Sequence, residues 1–525
     1  MTWELHARAR GLPAALQHDI PSPSAVPQRQ LAVIPFRMEN REGTVVHASH
    51  FENTINHYHL LSNSTTTSTT SISRLAADYR NQVAKHAVHS ASFNAAEHGD
   101  PPKCHPDTRL VVQDSLKFWP TAPADHPIAA DSVRWISGWA GTGKTTIAQT
   151  MAKYWAECGL LAASFFFLRS STEKSTTENF SLTILHQLLQ ILDFPEMPNT
   201  LPRDWLDVVS ILRPMLPLSK PMVIVIDGLD ECHIIKEQVV LLRTVLKSVD
   251  QLGPSIKFLI SCRPERHLES VFEQFTLGLS YHIYLGQSRE DNDDIRTFLR
   301  LSFDRICKDR RKDNTMSITD ELWPTDEQIH QLVDRASGQF IFAAILVAFV
   351  DDEEEDPVGL LDGVLERQLP SFASIDALYL VILERVIKST PSHHHQLVHD
   401  LLLHINYEPS SAADVAQFWF QKQVDVNIRV RHLRALLVCQ SSHDDPSKVL
   451  IQFRHKSFYD FLTQPSSSHP FSLAQMNPIS KLAFSLRMSA RRASSTELDF
   501  CSLQGSQLLG YTAKSTNLRV PRTET

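Results

Sequence analysis

Between about residues 131 and 286, short apolar runs alternate with longer stretches whose apolar positions recur every three to four residues. The short runs are rich in β-branched and aromatic side chains and are bounded by turn-forming residues, which predicts strands rather than helices. They fall at Val133–Ser137, Leu160–Leu168, Met222–Ile226, Ile256–Ser261 and Tyr281–Leu285. Short apolar runs alternating with longer amphipathic ones are the pattern of a parallel sheet covered by helices. Upstream, Val112, Leu116 and Trp119 fall at i, i+4 and i+7 and predict a helix. From 290 to about 350 the period is helical throughout. The acidic break Asp351–Asp356 then precedes another mostly helical block that ends near Gln464. The longest apolar run, Phe340–Val350, falls well short of the ~20 residues a membrane span needs and reads as a buried helix.

Outside these blocks the pattern fades. Residues 1 to about 100 mix prolines, histidines and a Ser/Thr tract, Ser62–Ser73, and give no fold assignment. Gly99, Pro101, Pro102 and Pro106 punctuate a linker over Glu97–Pro106, and the segment from about 465 to 525, rich in Ser, Thr and Arg, reads as a tail. No repeat of 20 to 50 residues is present, which excludes a solenoid or propeller within this chain.

A chain of 525 residues accommodates two or three domains. Its 51 basic and 59 acidic residues leave a formal charge of −8 without a long basic run, so no dedicated nucleic-acid or anionic-membrane surface is expected. Arg429, Arg431 and Arg434 lack the wider basic field that nucleic acid requires. The seven cysteines are scattered and odd in number, with no Cys-x-x-Cys pair, which argues against a disulfide framework and a zinc ribbon. With a polar, charged start at Met1–Arg10, a reducing, cytoplasmic setting is expected. His393, His394, His395 and His399 include a helical i, i+4 pair, yet no carboxylate or cysteine stands at matching spacing, and a solvated helix face is the simpler reading. Arg491-Arg-Ala-Ser494 resembles a basophilic kinase site but is too short to carry an expectation.

Chemistry enters at Gly138-Trp139-Ala140-Gly141-Thr142-Gly143-Lys144-Thr145, which fits G-x-x-x-x-G-K-[ST] directly after one predicted strand and directly before a helix. Glycines there let backbone N–H groups turn around phosphates, the helix N-terminus adds partial positive charge, and Lys144 adds a full one. Thr145 offers a hydroxyl to Mg2+, and Thr146 continues the first turn. A second element, Val223-Ile-Val-Ile-Asp227, ends a buried strand in a carboxylate at the sheet edge where ligands bind in open α/β sheets, making Asp227 the expected magnesium partner. Asp230 and Glu231 follow within four residues, close enough for one of them to orient or deprotonate an attacking water; a solvated acidic turn is the bland alternative. A third strand ends in Arg263-Pro264 and brings a guanidinium to the same edge, suited either to a γ-phosphate or to a nearby carboxylate such as Glu265. No Asn/Thr-Lys-x-Asp signature of guanine-reading GTPases follows these strands, which favours ATP/ADP over GTP.

Several stretches together resemble a NACHT-type STAND P-loop NTPase, of the fungal NLR-like group related to the nephrocystin-like N-terminal NTPase domain. They are Cys104-His-Pro-Asp-Thr-Arg109, Trp135–Thr146, Ala162–Phe167, Val223–Glu231 and Phe258–Glu265, continuing through Ala336–Phe342 and Leu378-Tyr379 to Phe453–Phe461. The resemblance spans about 104 to 464. It implies an α/β P-loop NTPase domain over 104–288, a helical domain over 289–365 and a winged-helix domain over 372–464, flanked by an unassigned region at 1–103 and a tail at 465–525. It implies further that His455 reaches the β-phosphate of ADP and stabilises a closed state, and that Thr108 and Arg109 pass near the adenine. The Gly-x-Pro that touches the base in related families is replaced by Gly338-Gln339-Phe340.

The resemblance therefore implies a nucleotide-operated signalling switch. ADP would hold the closed form, ATP exchange would open it, and the open form would self-associate and engage protein partners. Slow hydrolysis at Asp227, Asp230 and Glu231 would reset it, and the setting would be defence or self-recognition. The rival expectations are a nucleotide-binding scaffold without turnover and a conventional ATP-driven enzyme, for which the sequence offers no substrate pocket or inter-subunit arginine finger.

Overall fold

Five parallel strands run through the first half of the chain in the order β2-β3-β4-β1-β5. They are β1 (Val133–Gly138), β2 (Leu161–Phe166), β3 (Met222–Asp227), β4 (Ile256–Cys262) and β5 (Ser280–Leu285). The computed structural model describes residues 66–95 and 102–487, less 170, 193, 195–197, 199, 276–279, 313–322, 354, 368–373, 390–394, 408, 442–447, 465–468 and 474–483. All five strands agree with the apolar runs read from the sequence. The largest difference is β2, which stops at Phe166: the next amide, Phe167 N–H, donates to the carbonyl of Asp227 (2.9 Å) and the chain then turns away.

The helices of this half are α1 (Thr66–His86), α2 (Leu110–Phe118), α3 (Lys144–Glu157), α4 (Phe180–Ile191), α5 (Trp205–Leu212), α6 (Ile235–Leu252) and α7 (Arg266–Phe275). Strand side chains alternate between two cores, as a pleated sheet requires. On one face Ile136, Val223, Val225 and Leu259 meet Ile147, Met151 and Trp155 of α3 together with Leu116 and Trp119, the helix that the i, i+4, i+7 pattern predicts. On the other, Trp135, Ile224, Ile226, Phe258 and Ile260 pack on α4, α5, α6 and α7. Helices thus cover both faces of the sheet, and the α/β expectation holds.

The segment that the sequence left without a fold is structured from Thr66 onward. Tyr79 and Val83 of α1, with Val88 and Ala91 after it, join the second core, and Phe93 N–H donates to Ser164 Oγ on β2 (2.9 Å). Its anchors are single apolar residues spaced by polar ones, too sparse for a periodic signal. Residues 1–65, and with them the first part of the Ser/Thr tract, lie outside the described residues.

The second half is helical apart from one hairpin. It comprises α8 (Arg289–Lys312), α9 (Asp326–Ala336), α10 (Phe340–Val350), α11 (Pro357–Leu365), α12 (Ser374–Ser389), α13 (His395–Tyr407), α14 (Ala412–Trp419), α15 (Gln423–His432), the antiparallel pair β6 (Leu437–Ser441) and β7 (Val449–Phe453), and α16 (Lys456–Thr463). Helices α13 to α15 followed by a β-hairpin make a winged-helix arrangement. One continuous core joins α8–α12 to it, with α10 almost wholly buried, and among the described residues no helix is long and apolar enough to cross a membrane. The stretch read as a tail contributes Phe471, which stacks on His399 (5.5 Å between centroids), and Phe484, which stacks on Trp419 (5.8 Å). His393, His394 and Arg491–Ser494 lie outside the described residues.

The two halves meet at glycines. Gly338 has φ +77° and lies against Gly286, whose backbone would collide with any Cβ placed at 338. Gly338→Ala should therefore cost about 2–3 kcal/mol, read as a lower thermal midpoint. Gly363→Ala, at an exposed site where an added Cβ meets nothing, should leave the midpoint unchanged or slightly higher.

Candidate nucleotide site

Parallel pairing brings the C-terminal ends of β1, β4 and β3 side by side, with Ser137 opposite Cys262 and Ser261 opposite Asp227. The phosphate loop leaves this edge at Gly138 and enters α3 at Lys144, so Trp139, Ala140, Gly141, Thr142 and Gly143 form the turn itself. Gly143 caps the helix in the left-handed region, φ +95°, and Thr145 and Thr146 lie in the first helical turn. Trp139 is largely exposed, whereas Thr142 is buried and its hydroxyl donates back to the Trp139 carbonyl (3.0 Å). Lys144 Nζ donates to the carbonyls of Gly138 (2.7 Å) and Trp139 (2.9 Å). Burial lowers the Lys144 pKa against the opposing pull of Asp230, so its ammonium faces the loop short of compensating charge. An anion in the loop would supply that charge.

Asp227 is buried at the end of β3. Its carboxylate accepts hydrogen bonds from the hydroxyls of Ser261 and Thr145, yet burial still pushes its pKa up to about 6. A buried carboxylate destabilised in its charged form, next to the hydroxyl of Thr145, is a donor set that fits Mg2+. These two residues would hold the ion, which would supply charge neutralisation for the phosphates.

Asp230 and Glu231 stand on a short 3-10 turn after Gly228. Burial favours the neutral form of Asp230, but Lys456, Arg263 and Lys144 outweigh it and hold the carboxyl below its usual range. Its Oδ1 accepts the backbone N–H of Arg263 (3.0 Å), and its Oδ2 lies 3.2 Å from Arg263 Nε. Glu231 Oε2 accepts the backbone N–H of Arg169 (3.1 Å), and Arg169 Nη2 donates to the Asp230 carbonyl (3.0 Å). Arg169 therefore braces the acidic turn from the end of β2, a role that a lone arginine after an apolar strand did not announce in the sequence. Of the two readings weighed for Arg263, a γ-phosphate or a nearby carboxylate such as Glu265, the structure shows it on carboxylates, Asp230 and, at 2.9 Å, Asp460 of α16.

His455 caps α16 next to this edge. Its Nδ1 accepts the Ser457 backbone N–H (3.0 Å) and lies 2.6 Å from Ser457 Oγ, which in turn hydrogen-bonds the buried Tyr379 hydroxyl (2.7 Å). With Nδ1 occupied as acceptor, the neutral ring carries its proton on Nε2. Burial, reinforced by the positive charges of Arg263 and Lys144, depresses its pKa to about 4. Ser457 and Tyr379 thus fix the orientation of a ring that the sequence alone could single out only by resemblance.

Thr108 and Arg109 are buried beneath the loop. Arg109 adopts φ +58°, donates through Nη2 to the Thr142 carbonyl (2.9 Å), pairs with Asp291 of α8, and lies 4.7 Å from the Phe340 ring centroid. Ile341 N–H donates to the Gly141 carbonyl (3.0 Å), so α10 also grips the loop. Of the arginines weighed for nucleic acid, Arg429 is buried and donates to the Asp425 carbonyl, and Arg434 donates to the Asp351 carbonyl.

A histidine whose folded pKa lies below its ordinary value of 6.5 binds fewer protons folded than unfolded. Its contribution is complete above pH 6.5 and is lost as pH falls towards 4. Between pH 7.5 and 5 the wild type should therefore lose about 1–2 kcal/mol more stability than His455→Gln, measured by thermal melting of both proteins. Equal losses would show that the ring does not titrate against this environment.

Residues 110–263, under a third of the chain, match the family profile described as Nephrocystin 3, N-terminal. No curated protein matches the sequence. Similar solved structures include Cdc6p from Pyrobaculum aerophilum, with 14% identity, 71% of this chain and 97% of that chain covered, and a TM-score of 0.30. Another is the Aeropyrum pernix Orc1 protein in complex with DNA, with 11% identity, coverage of 66% and 88%, and a TM-score of 0.31. Drosophila ORC bound to DNA gives 13%, 76% and 93%, and 0.29. At this level of similarity they bear on neither the function nor the partners of this chain. The profile match runs from α2 through β1, β2, β3 and β4 to Arg263. Over these residues the chain is similar to the nephrocystin-like N-terminal profile, and the match includes the phosphate loop and Asp227.

Proposed function

We propose that the protein is an ATP/ADP-operated switch whose C-terminal helix α16 closes on the phosphate edge, in the manner of NACHT-type STAND proteins. The observation that carries this reading is the convergence of His455, Lys456 and Asp460, all from α16 and its cap, on Lys144, Asp230, Glu231 and Arg263. In this scheme the loop from Gly138 to Thr146 and Lys144 bind the phosphates, and Thr145 and Asp227 hold Mg2+. His455 donates from Nε2 to the β-phosphate, and its neutral state lets it give up that contact at little electrostatic cost.

Asp230 and Glu231 serve hydrolysis by orienting or deprotonating water, and Arg263 reads the γ-phosphate. With both acids engaged by cations, turnover is slow and serves to reset the switch. Adenine is favoured over guanine because the guanine-reading signature is absent from the sequence. Opening would free α16 and its neighbours for self-association and for protein partners in a cytoplasmic signalling role. A nucleotide shifts such an equilibrium only by its difference in affinity for the open and closed states.

The direct test is nucleotide content and turnover of the purified chain. Wild type should retain ADP and hydrolyse ATP on the order of 10⁻⁴ to 10⁻² s⁻¹, the range of switches without an activating partner. Lys144→Ala should weaken nucleotide binding at least about thirtyfold, because it removes the buried charge facing the phosphates. Turnover near the rates of metabolic enzymes, or failure of the wild type to bind nucleotide, would contradict the reading.

A further inference from the structure

Lys456 and Asp460 stand one helical turn apart on the same face of α16. Instead of pairing with each other, they meet opposite charges on the sheet edge. Asp460 Oδ2 lies 2.9 Å from Arg263 Nη2. Lys456 Nζ lies 3.0 Å from Glu231 Oε1 and 3.6 Å from Asp230 Oδ2. These are partly desolvated contacts: Asp230 is 6% exposed, Lys456 15% and Glu231 18%, with Arg263 and Asp460 at 25% and 33%. Lys456 Nζ is buried and makes no hydrogen bond of good geometry, so it is held as a charge rather than as a bonded donor. The remainder of α16 is anchored elsewhere, by Phe458, Phe461 and Leu462 in the helical core.

The arrangement leaves little charge to spare. Four carboxylates, Asp227, Asp230, Glu231 and Asp460, stand around Arg263, Lys456 and Lys144, with Arg169 braced against the acidic turn. ADP extends no charge beyond its β-phosphate. The γ-phosphate of ATP adds an anion beside Arg263, where it and Asp460 would compete for one guanidinium and repel each other.

Building on the function proposed above, we propose that Asp460 and Lys456 determine the nucleotide preference and the low turnover of this site. Asp460 occupies Arg263, so ADP binds with the contact intact whereas ATP binds only by displacing Asp460. Lys456 occupies Glu231, so this carboxylate is unable to accept a proton from water until α16 lifts away. Both are positioning residues that act through Arg263 and Glu231, and they make α16 respond to the one group that distinguishes the two nucleotides.

The test compares affinities of the full chain for ADP and for a non-hydrolysable ATP analogue with Mg2+, by competition against a fluorescent ADP. Wild type should favour ADP. Asp460→Asn should narrow that preference about three- to tenfold, chiefly by tighter binding of the analogue, and Asp460→Glu should restore it. Lys456→Gln should raise single-turnover hydrolysis several-fold with ADP affinity little changed. A purely structural role would weaken both nucleotides alike and leave their ratio unchanged, and that outcome, or unchanged hydrolysis in Lys456→Gln, overturns the proposal while the nucleotide site stands. If wild type binds neither nucleotide, the site reading falls as well.

Discussion

Arg263 is gripped by carboxylates from two distant parts of the chain, Asp230 on the sheet edge and Asp460 on α16. This bridge sets the character of the whole interface. Burial favours loss of the Arg263 proton, but the two carboxylates more than offset it and raise the guanidinium pKa above its ordinary value. Charge pairs of this kind add little net stability compared with apolar packing, while removing one partner leaves a poorly solvated charge behind. They suit a contact that must be broken by a competing ion. Apolar packing, which has no such competitor, is assigned to the other side of α16, where Phe458 and Phe461 surround Tyr379 at 4.9 and 5.3 Å between ring centroids. One helix therefore carries a permanent face and an exchangeable one.

The phosphate loop is held differently. Its outer carbonyls at Gly141 and Thr142 accept hydrogen bonds from Ile341 of α10 and from Arg109, which is itself paired with α8. Gly141 has φ +78° and has Ile341 pressed against it, and Gly338 and Gly286 pack backbone to backbone. These contacts are a backbone hydrogen bond, a charged hydrogen bond from Arg109, close packing and the buried Arg109–Asp291 ion pair. The ionic contact at α16 is the one that a phosphate group can replace, and differential affinity for the two states is the quantity that such a replacement changes.

Much of this was legible in the sequence, for physical reasons. The inner strand β3 declares itself because both faces are buried, so Val223–Ile226 reads as an unbroken apolar run, whereas edge strand β5 keeps Tyr281 exposed; the loop declares itself because phosphate binding demands glycine and lysine at fixed spacing. Asp227 and Arg263 followed from their places at strand ends. Less visible were the residues whose role depends on long-range pairing. Arg169 and Asp460 meet their partners across 61 and 197 positions of chain, and nothing local marks them. The docked aromatics Phe471 and Phe484 escaped for the same reason: single large side chains in a polar stretch bury well but have no period. Helix α1 begins in a Ser/Thr-rich tract of poor helix propensity, and its anchors, Tyr79 and Val83, are single apolar residues that pack into the core shared with α4.

If charges that a γ-phosphate displaces hold α16 on the phosphate edge, the helix must loosen when ATP replaces ADP. Amide hydrogen exchange over Lys456–Thr463, followed with ADP and then with a non-hydrolysable ATP analogue, tests it most directly. Protection of this helix is expected with ADP and a clear loss of protection with the analogue, while α3 stays protected in both. Equal protection of α16 in the two nucleotide states would contradict it.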